Sequence, residues 1–259
     1  MPPHITTEEA KKQALPGSDV YRNSHLLYHD DLHRDVGVVR LNIEAIKAFS
    51  DTVILTQRHA LAAERAAARQ WRSQGGFEAG LPFPLGEASH AMLEYVNYEY
   101  LKIGSAFELH LKARLLARNY VLHEIEKTAG YKDLAAEQKK RPILKQELFS
   151  IQRYHFDGRR NYLPGLRKES LKFSWLTDKP AYRAVLRLTA QQLGIIRDYR
   201  LLRNQVHFPG DVFNSPNIQA IAQPISEFLM AFINSELVVW SNELISRHKM
   251  SFKPLALFN

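Results

Sequence analysis

Residues 36–71 read VGVVRLNIEAIKAFSDTVILTQRHALAAERAAARQW, a run without proline in which apolar side chains recur three and four positions apart. That period is the signature of a long amphipathic helix, and the alanine-rich second half adds intrinsic helix propensity. A helix of this length needs a partner for its apolar stripe, so the rest of the chain is searched first for helices that can lie against it. The stretch from Ser73 to Pro84 holds Gly75, Gly76, Gly80, Pro82 and Pro84 and predicts a turn-rich loop. A second long helix is expected from Glu87 to Thr128, with Gly130 just past its end.

Working outward, a shorter helix is expected from Leu134 to Tyr154, and a basic loop from His155 to Lys168, where Gly158, Pro164 and Gly165 stand among arginines. A further helix is predicted from Lys179 to His207, stopped by Pro209 and Gly210, and a last one from Ile218 to about Arg247. Toward the N-terminus, Pro2, Pro3, Pro16 and Gly17 punctuate a polar arm with a short helix near Thr6 to Ala14. No run of strand period, repeat or low-complexity tract stands out. The expected architecture is all-α, a helical bundle with long antiparallel hairpins, in which residues 1–34 form the arm and 35–259 a single helical domain.

The 259 residues suffice to bury a large core, and the chain has no cysteine, which excludes disulfides, thiolate metal sites and thiol nucleophiles. The N-terminal MPPHITTEEAKKQ lacks the apolar core of a signal peptide, and Glu227, Asn234 and Glu236 interrupt the most apolar later stretch. A cytoplasmic protein without a membrane span is expected. Lys and Arg number 35 against 27 Asp and Glu, a net charge of +8 that attracts polyanions.

The chemistry concentrates before Pro209, in AYRAVLRLTAQQLGIIRDYRLLRNQVHFPGD. At roughly 100° per residue Leu188, Ile195, Tyr199, Leu202 and Val206 form a core stripe, and Arg200, Arg203, Asn204 and His207 cluster within an arc of roughly 100° beside it. Taken by themselves, arginine and histidine in a last turn are ordinary partners of a helix's negative end. In the earlier helix, GSAFELHLKARLLARNY places Glu108 and Lys112 four apart, a favourable pair.

LLRNQVHF resembles the signature of the HEPN superfamily, the higher-eukaryote and prokaryote nucleotide-binding helical domains, whose motif runs Arg, a polar residue that is often Asn, then His. Glu108 and Lys112 resemble the family's earlier Glu and Lys, and the likeness covers about residues 87–247. It implies a metal-independent endoribonuclease without cofactor, of the toxin or anti-phage kind. The implied catalytic residues are Arg203, Asn204 and His207, in a site formed where two copies meet in a homodimer, with Arg200, Glu108 and Lys112 as supporting residues. RNA and an antitoxin or neighbouring regulatory protein are the implied partners. The alternative is a HEPN-like module that binds nucleic acid or protein without catalysis. The sequence departs from the pattern, because three residues separate Arg203 from His207 where the family has four to six; Arg200 supplies six. A second match, Arg118, Asn119 and His123, has the family spacing, but on an unbroken helix its Arg and His diverge by roughly 140°.

Other groups are weighed against these. The basic loop, with Arg153, Arg159, Arg160, Arg167 and Lys168 beside Tyr154, Phe156 and Tyr162, suits either backbone attraction to RNA or a solvated turn. His25, His29 and His33 fall on one side of a helix, yet three ligands stacked along one helix do not surround a metal, so no metal site is expected. His90, Glu94, Glu99 and His110 read as surface or satisfied core groups.

Overall fold

The structure, a computed structural model, describes residues 28, 30–76, 78–80, 86–151, 165–205 and 229–257. The long helix α1 spans Asp31–Ser73. It starts four residues before the expected Asp35 because Asp30 caps it: the extended Asp30 accepts the backbone N–H of His33 at 2.8 Å, satisfying one of the donors that a helix start leaves unpaired. α2 spans Gly86–Ala117 and packs along α1. Phe49 meets Phe107, Asp51 pairs with Lys102 and Arg34 reaches Asn119, so residue numbers rise on one helix as they fall on the other. The pair is an antiparallel hairpin, as expected.

α2 ends at Ala117 and not at Thr128. Asn119 takes the left-handed conformation at φ 63°, the N–H of Tyr120 returns to the carbonyl of Leu115, and that of Asn119 to Leu116. These two bonds form a Schellman motif, which closes the helix on its own carbonyls. The chain then runs into a short strand, β1 (His123–Ile125), which pairs antiparallel with β2 (Leu166–Ser170), matching His123 with Ser170 and Ile125 with Leu166. This ribbon has no counterpart in the sequence reading, and β2 holds Leu166–Lys168, the end of the expected basic loop; the arginines and aromatics at 153–162 lie outside the described residues. Gln138 closes the free edge of β1, accepting from Ile125 N–H and donating to the His123 carbonyl, both at 2.8 Å.

Between the strands lie α3 (Lys132–Gln138) and α4 (Lys145–Ile151), two helices in place of the single one expected from Leu134 to Tyr154, parted at Arg141 and Pro142. After β2 come α5 (Phe173–Asp178), α6 (Pro180–Leu186) and α7 (Ala190–Gln205). The helix expected over Lys179–His207 is thus broken: Arg187 is left-handed at φ 52°, and Thr189 and Gln192 form a reciprocal capping box at 3.0 and 3.1 Å that starts α7 afresh. Leu188 therefore sits in the break while Ile196 and Tyr199 carry the buried face. In the last helical region a π-helix spans Ile233–Val239 and α8 spans Trp240–His248; the start expected at Ile218 lies outside the described residues. Among the described residues no helix is long and apolar enough to cross a membrane.

The core forms where these elements meet. Phe107 of α2 packs against Phe49 of α1 and Phe232 at 5.5 Å and Tyr199 of α7 at 5.7 Å, so one ring touches three other segments. Tyr28, buried beside the ribbon, accepts the N–H of Leu122 at 2.8 Å and donates to Nδ1 of His123 at 2.9 Å. Replacing Tyr28 with Phe leaves the buried Leu122 N–H and the half-buried His123 nitrogen without this partner, and the expected cost is about 1–3 kcal/mol, read as a lower urea midpoint at an unchanged slope. A midpoint equal to that of the parent would show that this bond pair does not hold the ribbon.

Candidate functional site

One residue of α2 and one of α7 converge on a single carboxylate of α2, that of Glu108, which stands 95 positions before Arg203 in the chain. Glu108 receives Nζ of Lys112 on Oε1 and the Arg203 guanidinium on Oε2, each at 2.5 Å. Lys112 is almost fully buried and also donates to Oγ of Ser170 on β2 at 2.8 Å. The approach is close because of Gly104, one turn before Glu108: a Cβ there would lie 3.0 Å from Cδ of Arg203 and 3.3 Å from the carbonyl of Tyr199. Only a residue without a side chain lets α7 ride this near to α2. The Arg203 guanidinium also sits 6.0 Å from the centre of the Phe173 ring and keeps about a third of its side chain (31 %) exposed.

The electrostatics follow from this placement. Burial works against the charge on Glu108, but the adjacent Lys112 and Arg203 outweigh it and hold the carboxyl below its ordinary range. Two cations against one anion leave the cluster with a surplus positive charge, and the exposed part of Arg203 presents it to solvent. His123, cross-strand from Ser170, is held neutral: burial, aided by the charge on Lys112, lowers its pKa to about 4.

Of the residues expected to act together, the structure joins Arg203, Glu108 and Lys112. Arg200 goes elsewhere, to Asp178 of α5 at 3.1 Å, where Arg197 also reaches at 3.6 Å. It clamps α7 to α5, and the face-sharing of Arg200 with Arg203 does not extend to a shared partner. Asn204 is exposed at the surface beside half-exposed Leu201. Val206 and His207 lie outside the described residues. The second motif match comes apart, because the helix ends before Asn119: Arg118 bonds the carbonyl of Arg114, and His123 is a half-buried strand residue bonded to Tyr28. His33 bonds Asp30 through Nδ1 at 2.8 Å; His25 and His29 are outside the described residues.

Sequence reasoning missed Ser170 and Asp178, since neither belongs to a motif and only strand register and helix packing bring them in. It also expected His110 and Glu99 as ordinary core or surface groups. His110 is fully buried with neither ring nitrogen bonded, and burial, then the charges of Arg114 and Arg118, lowers its pKa to about 3. Glu99 is raised to about 7 by burial; the side chains of His90 and Glu94 lie outside the described residues. The chain matches no family model, no curated protein and no solved structure.

Two substitutions separate these environments by opposite dependence on pH. Glu108→Gln removes the anion between two cations and is expected to cost about 3 kcal/mol near neutral pH. Because the folded Glu108 has the lowered pKa, its contribution is present above the unfolded value of 4.5 and shrinks as pH falls through the folded value. Glu99 has the raised pKa, so folding is favoured below 4.5 and that advantage is lost as pH rises through about 7. Glu99→Gln should therefore raise the melting temperature at pH 8 and leave it unchanged at pH 4. A pH-independent effect of either variant would refute the assigned environment.

Proposed function

We propose that this chain is a metal-independent endoribonuclease of the HEPN type, a cytoplasmic toxin or anti-phage effector acting as a homodimer on RNA. The observation that carries the reading is the meeting of Arg203 with Glu108 and Lys112. The resemblance draws on these two distant elements, and a family site requires them to adjoin. Arg203 is held by Glu108 from behind and open to solvent in front.

In this reading His207 removes the proton from a ribose 2′-hydroxyl, and the 2′-oxygen attacks the adjacent phosphorus. The bond to the 5′-oxygen breaks, and the imidazolium of the second copy's motif returns a proton to that leaving oxygen. The products are a 2′,3′-cyclic phosphate and a 5′-hydroxyl. Arg203 offsets charge that builds on the phosphate oxygens, and exposed Asn204 binds one of them or orients the pair. Glu108 and Lys112 act through Arg203, fixing its guanidinium so that little ordering remains at the moment of reaction.

A second reading, a HEPN-like binding module without turnover, is favoured by the same ion pair, since Glu108 already neutralises much of the Arg203 charge. Purified wild-type and His207→Ala protein incubated with total RNA in EDTA decide between them. Fragments ending in 2′,3′-cyclic phosphate from wild type alone are expected. Equal cleavage by the variant would sink the catalytic role of His207, and intact RNA in both would select the binding module.

A further inference from the structure

The edge of α7 that meets α5 carries more positive charge than its partners balance. Residues 165–205, from β2 to the end of α7, hold nine Lys and Arg against three Asp and Glu, most of the chain's net charge of +8. The short helix α5 docks antiparallel along α7. Its first residue, Phe173, lies 6.0 Å from the Arg203 guanidinium, and its last, Asp178, meets Arg197 and Arg200.

Arg197, Arg200 and Arg203 follow one another every three residues. Each is turned by roughly 60° from the last, and the outer two stand roughly 9 Å apart along the helix axis. The one acid of α7, Asp198, is turned roughly 100° from Arg197 in the opposite sense and so lies off this edge. Lys172 and Lys179 bracket α5, both exposed and without an ion pair among the described residues.

The two arginines on Asp178 are held differently. Arg200, with only 12 % of its side chain exposed, donates to the carboxylate at 3.1 Å. Arg197 is 49 % exposed and stands at 3.6 Å through Nε, beyond the length of a hydrogen bond. Its Nη edge, the fork that matches two oxygens of a phosphate, has no protein partner among the described residues. Arg203 is placed similarly at the other end of the seam: Glu108 takes Nη1, and the exposed remainder of the guanidinium faces solvent. Asp178 with Arg197 and Arg200 leaves one positive charge over, as does Glu108 with Lys112 and Arg203. Two surplus charges spaced along one seam match successive phosphates of a polynucleotide strand better than one small anion.

We propose that Arg197 and Arg203 contact two phosphates of one RNA strand lying along the seam between α5 and α7, with Arg203 at the reacting phosphate and Arg197 at a neighbouring one. Arg200 and Asp178 are positioning residues, which hold α5 to α7 and keep Arg197 beside the path. The inference rests on the ribonuclease reading for the role of Arg203, whereas the Arg197 contact can be measured without turnover.

The test follows the fluorescence anisotropy of a labelled 2′-O-methyl oligoribonucleotide, which has no 2′-hydroxyl to attack and so binds without cleavage. Full-length wild-type, Arg197→Gln and Lys47→Gln proteins are compared across a salt series; Lys47, 63 % exposed on α1, controls for the loss of one charge elsewhere. Arg197→Gln is expected to bind roughly five- to tenfold more weakly. Its plot of log affinity against log salt should be shallower by about 0.7, the loss of one phosphate contact to a single strand. Its melting temperature should stay that of wild type, because a loose exposed ion pair contributes little to stability. With a cleavable RNA its kcat/KM should fall by the same factor, through KM. Lys47→Gln should match wild type throughout. Wild-type protein that binds no oligonucleotide, or Arg197→Gln that departs from wild type no further than Lys47→Gln does, overturns the proposal. Binding that depends on Arg197 in a protein that cleaves no RNA leaves the strand contact standing and removes the ribonuclease reading. Cleavage by wild type and Arg197→Gln with equal KM removes the contact and leaves that reading.

Discussion

The fold turns on the ring of Phe107. It is fully buried and touches the α1, α7 and π-helical regions at once, through Phe49, Tyr199 and Phe232. Edge-on aromatic contacts fix angles as well as distances, so this one side chain sets how the hairpin receives the later helices. The charged cluster is its direct consequence. Glu108 follows Phe107 by one residue, hence by roughly 100° around α2, which places its carboxylate beside α7 once Tyr199 has docked. Arg203, one turn after Tyr199, then has no route past Gly104 except onto Glu108.

That geometry makes Glu108 costly to lose and costly to keep. A carboxylate and an ammonium withdrawn from water are retained only because every charged atom finds a partner: Oε1 on Lys112, Oε2 on Arg203, and the remaining reach of Lys112 on Ser170. The ribbon supplies that last bond. A strand of three residues capped by Gln138 has little stability of its own, yet it brings Ser170 under the hairpin and lines His123 up behind it. The ribbon and the cluster therefore support each other, and the neutral state of His123 follows first from its burial and then from the nearby charge of Lys112.

How much of this the sequence discloses depends on whether the deciding signal is periodic or local. α1 is legible because more than ten turns repeat one pattern. The start of α7 was legible in principle, since Thr189 and Gln192 stand at capping-box spacing, but the apolar period continues across the break and hides it. The end of α2 was masked in a similar way: Gly130 is the conventional stop, whereas Asn119 performs the left-handed turn eleven residues earlier. β1 is shorter than the window in which a period of two can be recognised. For the candidate site, the sequence supplied Arg203, Glu108 and Lys112 as members of two motifs. It had no means of bringing in Ser170 or of sending Arg200 to Asp178, because register and interhelical docking decide those.

The π-helix shows why two faces of the last turns of α2 carry different chemistry. Seven residues wound wider than an α-helix carry Glu236, and with Phe232 and Trp240 flanking them they present all three side chains to the same face of α2. Phe232 and Trp240 close on His110 at 4.9 and 6.3 Å, and Glu236 takes Arg114. An imidazole enclosed by aromatic edges with no bonded nitrogen is a destabilising element, and such departures persist where the surrounding structure over-determines them. Glu236 holds the π-helix to Arg114, and its charge also favours the charged form of Arg118. On the face that meets Arg203, by contrast, the carboxylate belongs to α2 itself and is shared between both cations.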